Sequence, residues 1–153
     1  MAVILWGKPT ITITNVTGNS AKLTVPTPVA DSTQLSTETG DKHTADIEGG
    51  GYEAVRYDKN SFTLEFSVRF AAGRDMPLED KSKDGSVTGT FQIAVTGEDT
   101  GSPTMTIAEA SARYEDEYSA SDGAARHYFF ESLVPSGGGD QITWAHTAAS
   151  SGS

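Results

Sequence analysis

The chain has 153 residues, an apolar fraction of 36%, no cysteine and a formal net charge of −10. That length bounds one domain with a sizeable core. The absence of cysteine excludes disulfide staples, thiolate metal sites and a cysteine nucleophile, and the charge opposes nucleic-acid binding, which needs lysine and arginine clusters. The acidic excess sits in the second half: residues 1–76 carry nine acids against seven bases, and residues 77–153 carry twelve against four.

In chain order, MAVILW at 1–6 is an apolar run with no basic residue before it, too short for a signal-peptide core or a membrane span. It reads as a first strand of a soluble chain made in the cytoplasm. Ile11 and Ile13 alternate with threonines, and Ala21, Leu23 and Val25 alternate again, so 10–25 reads as a hairpin around Gly18-Asn19. Pro26 and Pro28 end it, because proline has no amide to give a ladder.

Residues 29–51 are polar, with only Val29, Leu35 and Ile47 large and apolar. Thr39-Gly40-Asp41-Lys42 predicts a turn that folds a polar ribbon back on itself, with STQLSTET and HTADIE as its two arms. Such a ribbon without an oily face is marginal alone, so the segment at about 30–51 reads either as an arm that orders against a neighbouring molecule or as a solvated loop. Tyr52 to Tyr57 is a short strand running into a turn at 58–60.

Residues 60–70, NSFTLEFSVRF, organise the rest. Phe62, Leu64, Phe66, Val68 and Phe70 alternate with polar residues, giving one oily and one wet face on an extended segment. Residues 71–85 hold the only helical hints: Asp75 as a cap, Pro77 in a first turn, and Glu79 and Asp80 at the positive end. They predict one short helix or an irregular loop. Val87, Phe91, Ile93 and Val95 predict one strand, with Gly89 on the same face. Met105 and Ile107 alternate, and the phase then slips to Ala108, Ala110, Ala112 and Tyr114, as a bulge would produce, with a short helix through the alanines as the competing reading. SASDG at 119–123 predicts a hairpin turn. Residues 126–134 predict an aromatic strand and 141–144 a last short one, with 146–153 a disordered tail. Eight to ten strands at turn-punctuated spacing predict an all-β, mostly antiparallel sandwich or barrel with one short helix, occupying 1–145.

Chemistry is sparse. His43, His127 and His146 lack metal-ligand spacing. Asp80 and Asp84-Gly85 lack the acid spacing and closing glutamate of a calcium loop. There is no GxSxG, P-loop or GxGxxG, and the Asn15-Val16-Thr17 sequon has no export signal beside it. Glu115-Asp116-Glu117 reads as an exposed acidic run. No catalytic residue, metal site or cofactor is predicted, and the chain reads as a non-enzyme.

Several features together resemble a known family: the apolar opening with Trp6-Gly7-Lys8-Pro9, the polar arm centred on TETGDK (37–42) and ending in EGGG, the core strand NSFTLEF, the SASDG turn before an aromatic strand, and the closing Leu133, Pro135 and ITW. The layout is similar to the tail tube (major tail) proteins of bacteriophages and prophages, particularly small versions from gut Bacteroides-type hosts, with the type VI secretion tube protein related in architecture.

The resemblance implies hexameric rings that stack into a hollow tube, an arm that reaches neighbouring subunits, and an acidic lumen that DNA passes without sticking. It implies copies of the chain itself, a tape measure protein and a tail terminator as partners, and a place in the virion tail after assembly in the bacterial cytoplasm. Mapped onto this chain, the subunit-contact arm comprises Leu35, Thr39, Gly40, Asp41, Lys42 and Ile47, and the lumen candidates are Glu115, Asp116, Glu117 and Asp122. The competing expectations are a carbohydrate-binding or adhesin-like β-sandwich, which would stack sugars on Trp6, Trp144 or the tyrosines, and a small β-barrel hydrolase or isomerase.

Overall fold

The computed structural model describes residues 2–16, 22–79 and 82–145. Among them run twelve strands: β1 (Thr10–Asn15), β2 (Lys22–Thr24), β3 (Gln34–Glu38), β4 (Lys42–Asp46), β5 (Tyr52–Tyr57), β6 (Ser61–Arg69), β7 (Ser82–Lys83), β8 (Ser86–Val87), β9 (Phe91–Thr96), β10 (Thr104–Ser119), β11 (Gly123–Ser132) and β12 (Ile142–Ala145). Ten of them form one antiparallel sheet whose main path is β2-β1-β9-β10-β11-β6-β3, with β12 and β8 on β10 and β7 on β8. The all-β, antiparallel expectation holds.

The long strand β10 divides the sheet. Its first part, Thr104–Ile107, lies between β9 and β12, and its second part, from Ala110 on, pairs with β11 and, at Arg113, with β8. The register shifts between Ile107 and Ala110. Met105 and Ile107 are buried before the shift and Ala110 and Ala112 after it, so the inward phase moves by one residue. Of the two readings of the phase slip this is the bulge and not the helix through the alanines, although the inward phase resumes at Ala110 and leaves Ala108 half-buried, and it lets one strand belong to both halves of the sheet. Ile11, Ile13, Ile93, Val95, Met105 and Ile107 from the first half join Leu64, Phe66, Val68, Tyr128 and Phe130 from the second in one buried cluster. Phe66 stacks between Tyr128 and Phe130 at ring-centroid distances of 5.2 and 5.6 Å.

Strand β6 buries Leu64, Phe66 and Val68, while Phe62 is half-buried and Phe70, just past the strand end, is exposed. Strand β11 places Tyr128 and Phe130 inward and Phe129 outward, where the Arg113 guanidinium sits 4.6 Å from its ring centre.

Four sequence expectations are corrected. Residues 2–6 form no strand. The segment turns at Gly7 (φ 78°) and is tied instead to the loop after β9: the Trp6 indole N–H donates to Asp99 Oδ2 (3.2 Å) and the Lys8 amide to Glu98 Oε1 (3.0 Å). No α-helix forms within 71–79 or 82–85, and of the two alternatives the described residues take the irregular loop. Met76, Pro77 and Leu78 are buried one after another, which a helix with a single inward stripe cannot achieve. Leu78 has φ 62°, and the Tyr128 hydroxyl donates to the Pro77 carbonyl (2.8 Å), so this loop plugs one end of the core. The strand expected across 87–95 is broken, because Gly89 takes φ 112° and separates β8 from β9. The fourth correction concerns the arm and is described below. The Gly18-Asn19 turn, Ala21, Thr17, Asp80, His146 and the tail at 146–153 lie outside the described residues.

Candidate functional site

The polar segment forms a ribbon, but not the one expected. The chain does not reverse at Thr39–Lys42. It reverses at Ile47–Gly51, where the Ile47 amide donates to the Gly51 carbonyl and Gly49, Gly50 and Gly51 all have φ near +90°. Only glycine adopts such φ values without penalty. The arms are therefore 34–46 and 52–65. Counting four residues along each strand from the pair Glu38↔Ser61 leads to Lys42↔Tyr57, so β3–β6 and β4–β5 continue one register across a gap. The free arm is about 39–60 rather than 30–51.

Gly40 marks the crossing. A Cβ there would lie 2.3 Å from the Asp58 carbonyl oxygen. The Gly40 amide donates to Asn60 Oδ1 (3.1 Å) and the Asp58 amide to the Asp41 carbonyl (2.8 Å). Asn60 also anchors the arm base to the body, since its carbonyl accepts from Gln141 Nε2 (2.9 Å). Beyond this crossing every residue of β4 and β5 is exposed. The arm candidates thus separate by role. Leu35 is half-buried against the core, Thr39 to Asp41 form the crossing, Lys42 begins the free ribbon and Ile47 sits exposed at its tip.

Sequence reasoning missed the ribbon's oily face. Lys42, Thr44 and Asp46 stand opposite Tyr57, Val55 and Tyr52, so these six share one face. Tyr52, Val55 and Tyr57 are exposed, and the Lys42 ammonium lies 5.0 Å from the Tyr52 ring centre. The bulge between Ala45 and Asp46 hides the alternation, because it brings Tyr52 onto the face of Val55 and Tyr57. On the other face His43 meets Asp58 at 2.9 Å, and that hydrogen bond raises the imidazole pKa.

The four lumen candidates do not form one cluster. Glu115 and Glu117 pair with His127 and Ala125, so they project on the outer, wet face of the β3-β6-β11-β10 region, which also carries Glu38, Glu65 and Glu131 against the two cations Arg69 and Arg113, a net acidic balance. Asp116 faces the opposite way. It holds Arg126 through Nε–Oδ1 (2.6 Å) and Nη2–Oδ2 (3.3 Å). Arg126 is buried, stacks 3.9 Å over the Tyr114 ring and also reaches Glu79. Asp122 lies in the hairpin turn, where its amide and carboxylate bond to Ser119 Oγ.

On the wet face His127 bridges two β6 side chains, with Nε2 3.0 Å from Glu65 Oε1 and Nδ1 2.5 Å from Ser67 Oγ. A carboxylate only accepts, so in the neutral ring Nε2 carries the proton and Nδ1 accepts from the Ser67 hydroxyl. The His127 hydrogen bond holds the Glu65 carboxyl below its ordinary pKa. The pairing of hydroxyl, base and carboxylate has the layout of an activated nucleophile. The Ser67 amide, however, donates to Ser32 Oγ (3.1 Å) and is not free to stabilise an oxyanion. Among the described residues no group of three His, Asp or Glu side chains could hold a metal ion.

A cleft of about 290 Å3 opens between the two halves of the sheet. Leu35 and Leu64 line one wall, Val95 and Met105 the other, and Trp6 and Trp144 stand at its edge. The two tryptophans, distant in sequence, are 65% and 48% exposed, so the cleft is rimmed by accessible indoles. Searches against protein-family models and curated proteins returned no match.

Proposed function

We propose that this protein is a structural subunit of a phage or phage-like tail tube, built from rings of its own copies that stack around a DNA channel. The observation that carries the reading is the ribbon of 42–57. It is ordered as a hairpin in register with the body, fixed at its base by Gly40 and Asn60, yet among the described residues no other element covers it. A two-stranded ribbon gains little stability alone, and an exposed oily stripe is matched by burial against another molecule. The acidic wet face supports a channel side, where carboxylates repel phosphates; Glu115 and Glu117, with Glu38, Glu65 and Glu131, are its lining in this reading, and Asp116 is not.

Sedimentation velocity over a concentration series, followed by negative-stain microscopy, tests the proposal. Rings or tubes are the expected result, and a lone particle at the highest concentration would overturn it. The meeting of Trp6 and Trp144 at one cleft favours a second reading, a carbohydrate-binding or adhesin-like module. A monomer that binds a glycan array would select it.

A further inference from the structure

The cleft and the arm stripe are complementary, and they cannot meet within one molecule. The ribbon keeps one register from Gln34 to Ala45. At about 3.3 Å per residue, Lys42 and its partner Tyr57 stand roughly 23 Å up the ribbon from Leu35, which lines the cleft. Bringing the stripe back to its own cleft would require breaking that ladder.

We infer that the Tyr52–Val55–Tyr57 stripe of one copy docks into the cleft between Trp6 and Trp144 of the next. The inference rests on the ring reading and names the contact within it. Four observations meet here. The cleft walls include the buried core residues Leu64, Val95 and Met105, and its size suits a side chain or two rather than a domain. Among the described residues β3 and β12, which flank it, each pair on one side only, so an incoming strand finds unpaired backbone groups there.

Charge is also matched. Lys42 travels with the stripe, while Glu98 and Asp99 beside Trp6 accept from the Lys8 amide and the Trp6 indole and, among the described residues, have no cationic side chain. Finally, area fits the role. Two tyrosines bury about 150–250 Å2 each, roughly half of the ~800 Å2 per partner of a standard interface. One such contact is weak, and a closed ring of identical head-to-tail contacts is stable.

Two variants test it: Val55→Asp with Tyr57→Ser on the arm, and Trp144→Ala in the cleft. Both change exposed positions, and circular dichroism verifies folding. Each alone should move the association midpoint to about 10–30-fold higher concentration in sedimentation velocity. A 1:1 mixture should form dimers and nothing larger, since the Trp144→Ala chain still offers an arm and the arm variant still offers a cleft. The tryptophan emission of the mixture should shift to the blue. Wild-type assembly by both variants overturns the docking and leaves the ring reading intact. Loss of assembly in both with no dimer on mixing also overturns the docking. A wild-type chain that stays monomeric at all concentrations overturns both readings.

Discussion

Arg126 is a buried cation whose partners are unequal. Its guanidinium is 8% exposed, whereas Asp116 and Glu79 are 54% and 61% exposed. Removing the arginine therefore leaves carboxylates that water can solvate, and the loss is mainly that of packing against Tyr114 and Phe70. Removing Asp116 instead strands a cation in the interior. Asp116→Asn is therefore expected to cost more, about 2–4 kcal/mol, than Arg126→Ala, about 1–2 kcal/mol, read as urea midpoints. Glu65 makes a pH-dependent contribution. Its folded pKa lies below the ordinary value of 4.5 because His127 hydrogen-bonds the carboxylate. Stability from this group is present above the unfolded pKa and is lost as pH falls through the depressed folded one. Glu65→Gln keeps the shape and removes the titration, so its urea midpoint should fall less steeply than that of the wild type as pH drops below 4.5. Neither residue was legible as a partner in the sequence. Arg126 and Asp116 are ten positions apart, and only the hairpin register sets them opposite each other.

At the scale of elements, alternation was enough to find β6, β9, β10, β11 and the bulge, because period-two burial writes itself into residue type. It failed where burial does not alternate. Met76-Pro77-Leu78 plug the core as a run, and Thr39–Lys42 carry the composition of a turn although the chain passes straight through. Gly40 explains the second error. It is glycine because the Asp58 carbonyl, in the link between β5 and β6, occupies the space of a side chain, a long-range fact that looks local in sequence. Gly40→Ala is expected to loosen the crossing alone. Hydrogen exchange should quicken across 42–57 while the amides of β10 and β11 keep wild-type protection, since the core cluster does not include the arm.

For the whole molecule, the net charge of −10 would set the terms of assembly in the proposed ring. Each added copy brings that charge with it, and the summed repulsion outweighs any single attraction such as that of Lys42 for Asp99. Salt screens the long-range repulsion first, with a Debye length falling from about 30 Å at 0.01 M to about 10 Å at 0.1 M. Raising salt across that range is therefore expected to lower the concentration at which the chain associates, measured by sedimentation; a rise instead would mean that ion pairs dominate the contact. The overall class and the charge were legible from composition, whereas the cleft was not, since only the folded sheet brings Trp6 and Trp144, far apart in sequence, to its edge. One strand also governs how the whole comes apart. Because the sixteen residues of β10 are hydrogen-bonded in both halves, neither half can peel away while the other stays whole.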